Sequence, residues 1–263
     1  MMKFENYKIM IFTRSMNYAL YKASNNTILI PFERKRLTYT SAHGYLYDIL
    51  KYDIDYAINI DEDAFVIDNN ALLDLLEFVI KNDYVNCGVR DGGALSIRTG
   101  NPVVTNPFFN IFNVKEIRKH FSLSEIDQYI KNGVDYPKFI PDNLPHEYNI
   151  TDNYEPFYPF FIWLNTKFKT FYLDAEQDKD GYTTIVYNQN KVPIMYHSWY
   201  SRMFGIDEFH TQRIMNLYTQ CTTKSLKFSL FEKGKIAGEK FVNNKLMPSL
   251  LPIRRFILSK IKK

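Results

Sequence analysis

Two aspartates with a glutamate between them close a short apolar run in Tyr56-Ala57-Ile58-Asn59-Ile60-Asp61-Glu62-Asp63-Ala64-Phe65-Val66. The run before the acids is short and partly β-branched, so it reads as a buried strand. Acids at such a strand end sit on the carboxyl edge of a sheet, where open α/β sheets bind ligands. In extended backbone Asp61 and Asp63 point to one side, roughly 7 Å apart, and Glu62 points to the other. Two carboxylates on one side hold a hard divalent cation and leave positions open for phosphate oxygens. The plain alternative is an acidic triplet on a solvated loop. The apolar walls on both sides, including Phe65-Val66-Ile67, weigh against it.

Asp61-Glu62-Asp63 after a strand resembles the Asp-any-Asp motif of GT-A-fold glycosyltransferases of the bacterial polysaccharide or lipopolysaccharide type. In that family a metal bridges the acids to the diphosphate of a nucleotide sugar. The resemblance covers residues 7–205 in layout and rests on few specific motifs. It implies an α/β fold: a GT-A-like, Rossmann-related single domain with a central mixed, mostly parallel sheet flanked by helices. It also implies Mn²⁺ or Mg²⁺ as cofactor and a nucleotide-sugar donor, taken here as UDP-linked. A late histidine after a strand, His197 in His197-Ser198-Trp199-Tyr200-Ser201-Arg202, resembles the family's C-terminal metal ligand. Imidazole added to two carboxylates suits Mn²⁺ better than a purely oxygen site does. His197 is then either the third ligand or a structural ring packed on Trp199, and Arg202 is placed to meet the diphosphate.

The loop after the first strand holds the nucleotide in this family, which assigns Thr13 and Arg14 to the donor pocket. Arg14 suits a diphosphate or a base edge, or is a surface arginine beside a capping Ser15. His43, near a helix start, either reaches a phosphate or is structural. Asp91, in Arg90-Asp91-Gly92-Gly93, is a donor-sugar contact by resemblance or part of an Asp-Gly hairpin turn. In Asp152-Asn153-Tyr154-Glu155-Pro156-Phe157, acids sit among aromatics, and an apolar cleft can raise a carboxyl to the basicity a general base needs. Glu155 is the first candidate and Asp152 the second; a loop acid capping the next helix is the alternative.

The elements that must position these residues follow from pattern. Residues 7–12 read as the first strand, with Ser15 capping a helix over 16–23, a second strand at 27–30, and a basic loop at 32–36. Tyr45 to Leu50 is a helix feeding the Asp61 strand, so strand and helix alternate as in parallel βαβ units. Asp68 to Asn70 offers caps for a helix with Leu72, Leu75, Leu76 and Val79 at helical spacing. Strands are expected at 85–89, 168–174, 183–187 and 192–196, and helices at 114–120, 124–132, 157–164 and 206–218. Residues 103–110 are a candidate lining for the acceptor cleft. Gln177 to Gly181 lacks the spacing of a calcium loop and reads as a turn.

Composition bounds the function. The 263 residues are 46% hydrophobic, enough for one large core. Two cysteines imply no disulfide framework and a reducing compartment. Lys3, Glu5 and Lys8 interrupt any leader, and no apolar run is long enough to span a bilayer. The net charge of +4 is uneven: residues 224–263 hold 11 Lys and Arg against 2 Glu, so the first 223 residues are net negative. That balance argues against a nucleic-acid-binding body. The expected division is 1–223, a GT-A-like catalytic domain, and 224–263, a basic segment that either associates with an anionic membrane surface or docks on the body. The end of that segment, 250–263, carries five basic residues and no acid on an amphipathic pattern.

The function these residues imply is metal-dependent transfer of a sugar from a nucleotide sugar to a glycan or lipid-linked acceptor, in the cytoplasm or on the inner face of the membrane. Inverting and retaining chemistry both stay open. A nucleotidyltransferase or phosphohydrolase would use the same acids, but the loop Thr13-Arg14-Ser15-Met16-Asn17 lacks the glycines such enzymes carry after the first strand. A non-catalytic sugar-binding protein is the third alternative.

Overall fold

The computed structural model describes residues 4–92, 99–132, 137–150 and 155–246. Gly93, Asp152 and the tail 250–263 lie outside the described residues.

Six strands form the central sheet. β1 (Ile9–Arg14) runs parallel to both β2 (Glu33–Leu37) and β3 (Tyr56–Ile60). A short β4 (Ala64–Val66) leaves for a second sheet. The central sheet continues through β5 (Asn86–Arg90), β6 (Thr105–Asn113) and β7 (Thr170–Leu173). Its order is β2-β1-β3-β6-β5-β7, with only β6 antiparallel to its neighbours. The second sheet has β8 (Ala175–Gln177), β9 (Thr184–Tyr187) and β10 (Pro193–His197) in the order β4-β10-β9-β8, all antiparallel. This is the mixed, mostly parallel α/β architecture that the sequence predicts.

Period-two alternation explains the layers. Ile9, Ile11, Ile58 and Ile60 face one side of the central sheet, where they meet Leu72, Leu75, Leu76 and Val79 together with Val186 and Met195 of the second sheet. Phe12, Ala57 and Phe112 face the other side, against Leu46, Ile49, Ile117, Ile126, Phe160 and Trp163. Helices between strands supply these contacts: α2 (Gly44–Ile49), α3 (Asn69–Lys81), α4 (Val114–His120), α5 (Leu123–Asn132) and α6 (Tyr158–Lys167). α1 (Tyr18–Thr27) and α7 (Glu208–Cys221) pack Leu20, Ala23, Ile214, Leu217 and Tyr218 around Phe65 in a third cluster. The last, α8 (Leu230–Phe241), opens on a capping box between Ser229 and Glu232. Asp68 caps α3 as expected, accepting from the amides of Asn70 and Ala71 at 2.9 and 3.0 Å. Among the described residues no helix is long and apolar enough to cross a membrane.

Three expectations about the first 40 residues are corrected. The cap of α1 is Asn17, whose side chain accepts from the amides of Ala19 and Leu20, and the helix runs on through Thr27. Ser15 does not cap it; its hydroxyl donates to Glu62 at 2.7 Å. The strand expected at 27–30 is therefore the end of α1 and the turn after it. The basic stretch Glu33-Arg34-Lys35-Arg36 is no loop but edge strand β2. Glu33 and Lys35 point to water, while Arg34 donates to Thr13 and Ser24 at 2.8 and 3.0 Å and Arg36 to Ser15 at 2.8 Å. Charged side chains on both faces suit an edge.

Candidate metal centre and its cleft

β3 ends at Ile60, β4 begins at Ala64, and the three acids form the link between the two sheets. The Asp61 amide donates to the Phe108 carbonyl at 2.8 Å, so β6 fixes where the strand stops. β10 pairs antiparallel with β4, setting His197 opposite Ala64 and hence beside Asp63. The result is a cluster in which ligand atoms of Asp61, Asp63 and His197 all lie within 4.8 Å of one another. His197 Nε2 is 3.3 Å from Asp63 Oδ1. These three residues, from the ends of strands in two sheets and as far apart as Asp61 and His197 in the sequence, are brought together as the sequence predicts.

The carboxylates of Asp61 and Asp63 crowd one another. Asp63 and His197 are buried. Burial, then the charge of Asp63, pushes the Asp61 carboxyl up to about 6. The other ring nitrogen of His197, Nδ1, is buried and has no hydrogen-bond partner. Two crowded carboxylates beside an uncommitted imidazole nitrogen are a hard-to-borderline donor set that a divalent cation fits.

His197 is also packed, and the packing and ligand readings are compatible. Its ring stacks on Phe108 at 4.0 Å and 10°, and lies 4.3 Å from Trp199. These contacts fix the plane in which the nitrogens lie. Trp199 and Tyr200 follow in consecutive left-handed conformations, each with φ 54°, a costly backbone for bulky residues. Buried Arg213 holds that turn, donating to the carbonyls of Ser198 and Trp199 at 2.6 and 3.3 Å. Both aromatic side chains consequently border the cleft.

Glu62 turns the other way, as the alternation predicts, and has a role the sequence reading missed. One of its oxygens accepts from the Ser15 hydroxyl at 2.7 Å and from the amides of Met16 and Asn17 at 2.9 and 2.7 Å. It thus ties the β1–α1 loop, which directly follows Arg14, to the acid motif. Burial, then the charge of Asp61, pushes its carboxyl up. That three donors converge on one oxygen is the countervailing stabilisation of the charged form.

Above the cluster lies a cleft of about 550 Å³. Its floor includes Asp61, Asp63 and His197; Arg14 and Arg202 provide cations, and Phe157, Trp199 and Tyr200 provide aromatic faces. Glu155 also borders it, as do Asn106, Pro107 and Phe108 of the stretch expected to line an acceptor site. Arg14 Nε is buried without a partner. A smaller cavity of about 300 Å³ adjoins at Arg14, Met16 and Glu239, and is also lined by Thr38 to Ser41.

Three expected site residues stand apart from the cleft lining. Thr13 is buried behind it, donating to the Ile60 carbonyl at 2.7 Å and accepting from Arg34. His43 precedes α2 and meets Tyr47 edge-on at 6.1 Å. Asp91 is fully buried and accepts hydrogen bonds from Asn106 and the Tyr158 hydroxyl. Through Asn106 it touches the cleft wall at one remove. The least foreseeable wall is α8: Ile236, Glu239, Lys240 and, just past its end, Asn243 border the cleft. Arg36 pairs with Glu239, and Asn243 donates to the Met16 carbonyl at 2.7 Å.

No protein-family model matches the chain, and no curated protein matches it. Solved structures share its layout at low identity. One is galactosyltransferase LgtC in complex with donor and acceptor sugar analogs, 11% identical over 82% of this chain and 97% of that one, TM-score 0.45. Another is a protein of STIV, 13% identical over 71% and 93%, TM-score 0.36. A third is the mannosyltransferase PcManGT from Pyrobaculum calidifontis in complex with GDP-Man and Mn²⁺, 7% identical over 43% and 46%, TM-score 0.33. Likeness at this level carries no argument for an activity.

Proposed function

We propose that the protein is a metal-dependent glycosyltransferase that moves a sugar from a nucleotide sugar, UDP-linked, to a hydroxyl of a glycan or lipid-linked acceptor. The observation that carries this reading is the convergence of Asp61, Asp63 and His197 on the floor of a cleft whose lining also includes Arg14, Arg202 and the aromatic faces of Phe157, Trp199 and Tyr200. Asp61, Asp63 and His197 would hold Mn²⁺ or Mg²⁺, and the ion would supply charge neutralisation for a departing diphosphate. Residues 1–223 form the catalytic body in this reading, and 224–263 the basic segment.

The chain's own residues carry the remaining work. Arg14 and Arg202 bind diphosphate oxygens, for which a guanidinium offers paired donors. Glu62 holds the Arg14 loop in place through Ser15, Met16 and Asn17. Phe157, Trp199 and Tyr200 present faces to the sugars and exclude water. Glu155, bordering the cleft, accepts the proton of the acceptor hydroxyl as that oxygen attacks the anomeric carbon, an inverting step. Thr13, His43 and Asp91 support the nucleotide and donor side from behind the lining. Asp152 remains the alternative base. The protein works in the cytoplasm, at the inner face of the membrane, with an anionic lipid surface as a further partner of the basic segment.

The test is titration with UDP, with and without Mn²⁺, followed by turnover of sugar nucleotides. Metal-dependent UDP binding and sugar transfer are expected. Binding with no turnover of any kind would contradict catalysis and favour a sugar-binding protein. Pyrophosphate-linked hydrolysis or nucleotidyl transfer without sugar transfer would favour the phosphohydrolase or nucleotidyltransferase alternative.

A further inference from the structure

Arg213, from α7, is buried and reaches two turns at once. Its Nη2 donates to the carbonyls of Ser198 and Trp199 at 2.6 and 3.3 Å, in the turn that follows β10. Its Nη1 donates to the Thr183 hydroxyl at 2.8 Å and to Asp180 Oδ2 at 3.3 Å, in the turn between β8 and β9. Asp180 shapes that hairpin turn, accepting from the amides of Tyr182 and Thr183, both at 2.8 Å, and from the Thr183 hydroxyl at 2.6 Å. Asp180, Thr183 and Arg213 all stand outside the cleft lining.

Ser198 connects this network to the metal-ligand candidates. The β4–β10 ladder ends at the Ala64–His197 pair. One step beyond, the Ser198 amide donates to the Asp63 carbonyl at 3.0 Å, and its hydroxyl lies 3.4 Å from Asp63 Oδ2. Ser198 is thus bonded to Asp63 and next in the chain to His197. Directly after it come two left-handed residues, Trp199 and Tyr200, a conformation that bulky side chains adopt at a cost. Such a turn relaxes unless its surroundings hold it. Relaxation would move Ser198, and with it the 3.3 Å gap between His197 Nε2 and Asp63 Oδ1. The carbonyls that Arg213 grips are those of Ser198 and Trp199, where that movement would begin. A planar guanidinium reaches both turns, which a single ammonium could not do with fixed geometry.

We infer that Asp180, Thr183 and Arg213 form a positioning unit for the metal centre: they fix Ser198 and so hold His197 and Asp63 at the spacing a divalent cation needs. Arg213 bonds to neither ligand and acts through Ser198. Partners of this kind, one step removed from the ion, orient its ligands and set their affinity. The inference rests on the metal reading of Asp61, Asp63 and His197. It adds that a hairpin turn outside the cleft governs how strongly the cation is held before any nucleotide arrives.

The test is titration of the full chain with Mn²⁺, without nucleotide, followed by electron paramagnetic resonance of the free ion. Arg213→Met keeps the aliphatic stem, removes the donors and should weaken binding about 10–100-fold. Thr183→Val leaves the guanidinium in place and should weaken binding less, and it carries the test if Arg213→Met does not fold. Pulsed measurements on the bound ion should show nitrogen modulation from His197 in the wild type and less of it in both variants. Asp68→Ala removes the cap of α3, lowers stability elsewhere and should bind Mn²⁺ as the wild type does. Wild-type affinity and nitrogen modulation in Thr183→Val and in folded Arg213→Met would overturn the inference and leave the metal site standing. An equal loss in Asp68→Ala would also overturn it, since the effect would then be general loosening. A wild-type chain that does not bind Mn²⁺, or binding undiminished in Asp63→Ala, would overturn the metal reading and this inference with it.

Discussion

Arg36 and Glu239, 203 residues apart, form a two-pronged ion pair: Nη1 to Oε1 at 2.7 Å and Nη2 to Oε2 at 2.8 Å. Their side chains are only 9% and 10% exposed. The same carboxylate accepts from the Tyr18 amide at 2.8 Å, the first amide of α1, where a helix N-terminus favours an anion. One glutamate therefore fastens α8 to edge strand β2 and to α1, and so fixes one wall of the cleft. Removing one partner of a buried pair strands the other charge, at a cost of roughly 3–5 kcal/mol. Glu239→Ala should release α8, seen as faster proteolysis within 222–229 and weaker donor binding. The double change Arg36→Met, Glu239→Met should cost less than the single one. Unchanged proteolysis in Glu239→Ala would show that the pair does not hold the helix.

Glu62 should behave as a structural residue despite lying between two metal-ligand candidates. Replacing it with Ala leaves a hydroxyl and two amides without their acceptor. The expected loss is about 3 kcal/mol in denaturant unfolding, with donor affinity falling because the Arg14 loop loosens. Glu62→Gln retains one acceptor oxygen and should be milder. Full stability in Glu62→Ala would contradict the anchoring role.

Much of the floor of the site was legible in the sequence, because its signal is local. Asp61 and Asp63 end a strand that is buried throughout, and His197 ends another; side-chain alternation does the rest. What was not legible depends on long-range pairing. β2 was misread because its alternation is charged outward against charged inward, Glu33 and Lys35 against Arg34 and Arg36, and hydrophobic periodicity cannot register that. Arg34 and Arg36 find their partners on β1, α1 and α8. Glu239 looked like one acid in a basic segment; its role exists only once Arg36 and Tyr18 are beside it. Arg213 was hidden for the same reason, since the carbonyls it grips belong to a turn 14 residues earlier.

Glu155→Gln keeps shape and removes basicity. If Glu155 takes the acceptor proton, turnover should fall by about 10²–10⁴ with donor affinity little changed. A near-normal rate in that variant would move the role to Asp152 or favour a retaining mechanism.

The central claim is a cation held by Asp61, Asp63 and His197 that in turn holds a nucleotide diphosphate. Calorimetric titration of UDP into wild-type protein and into Asp63→Ala, each with and without Mn²⁺, tests it most directly. Wild-type affinity should rise with Mn²⁺. Asp63→Ala should lose that dependence while keeping its fold, and His197→Ala should retain part of it because the two carboxylates remain. Mn²⁺-dependent UDP binding that is undiminished in Asp63→Ala would contradict the account.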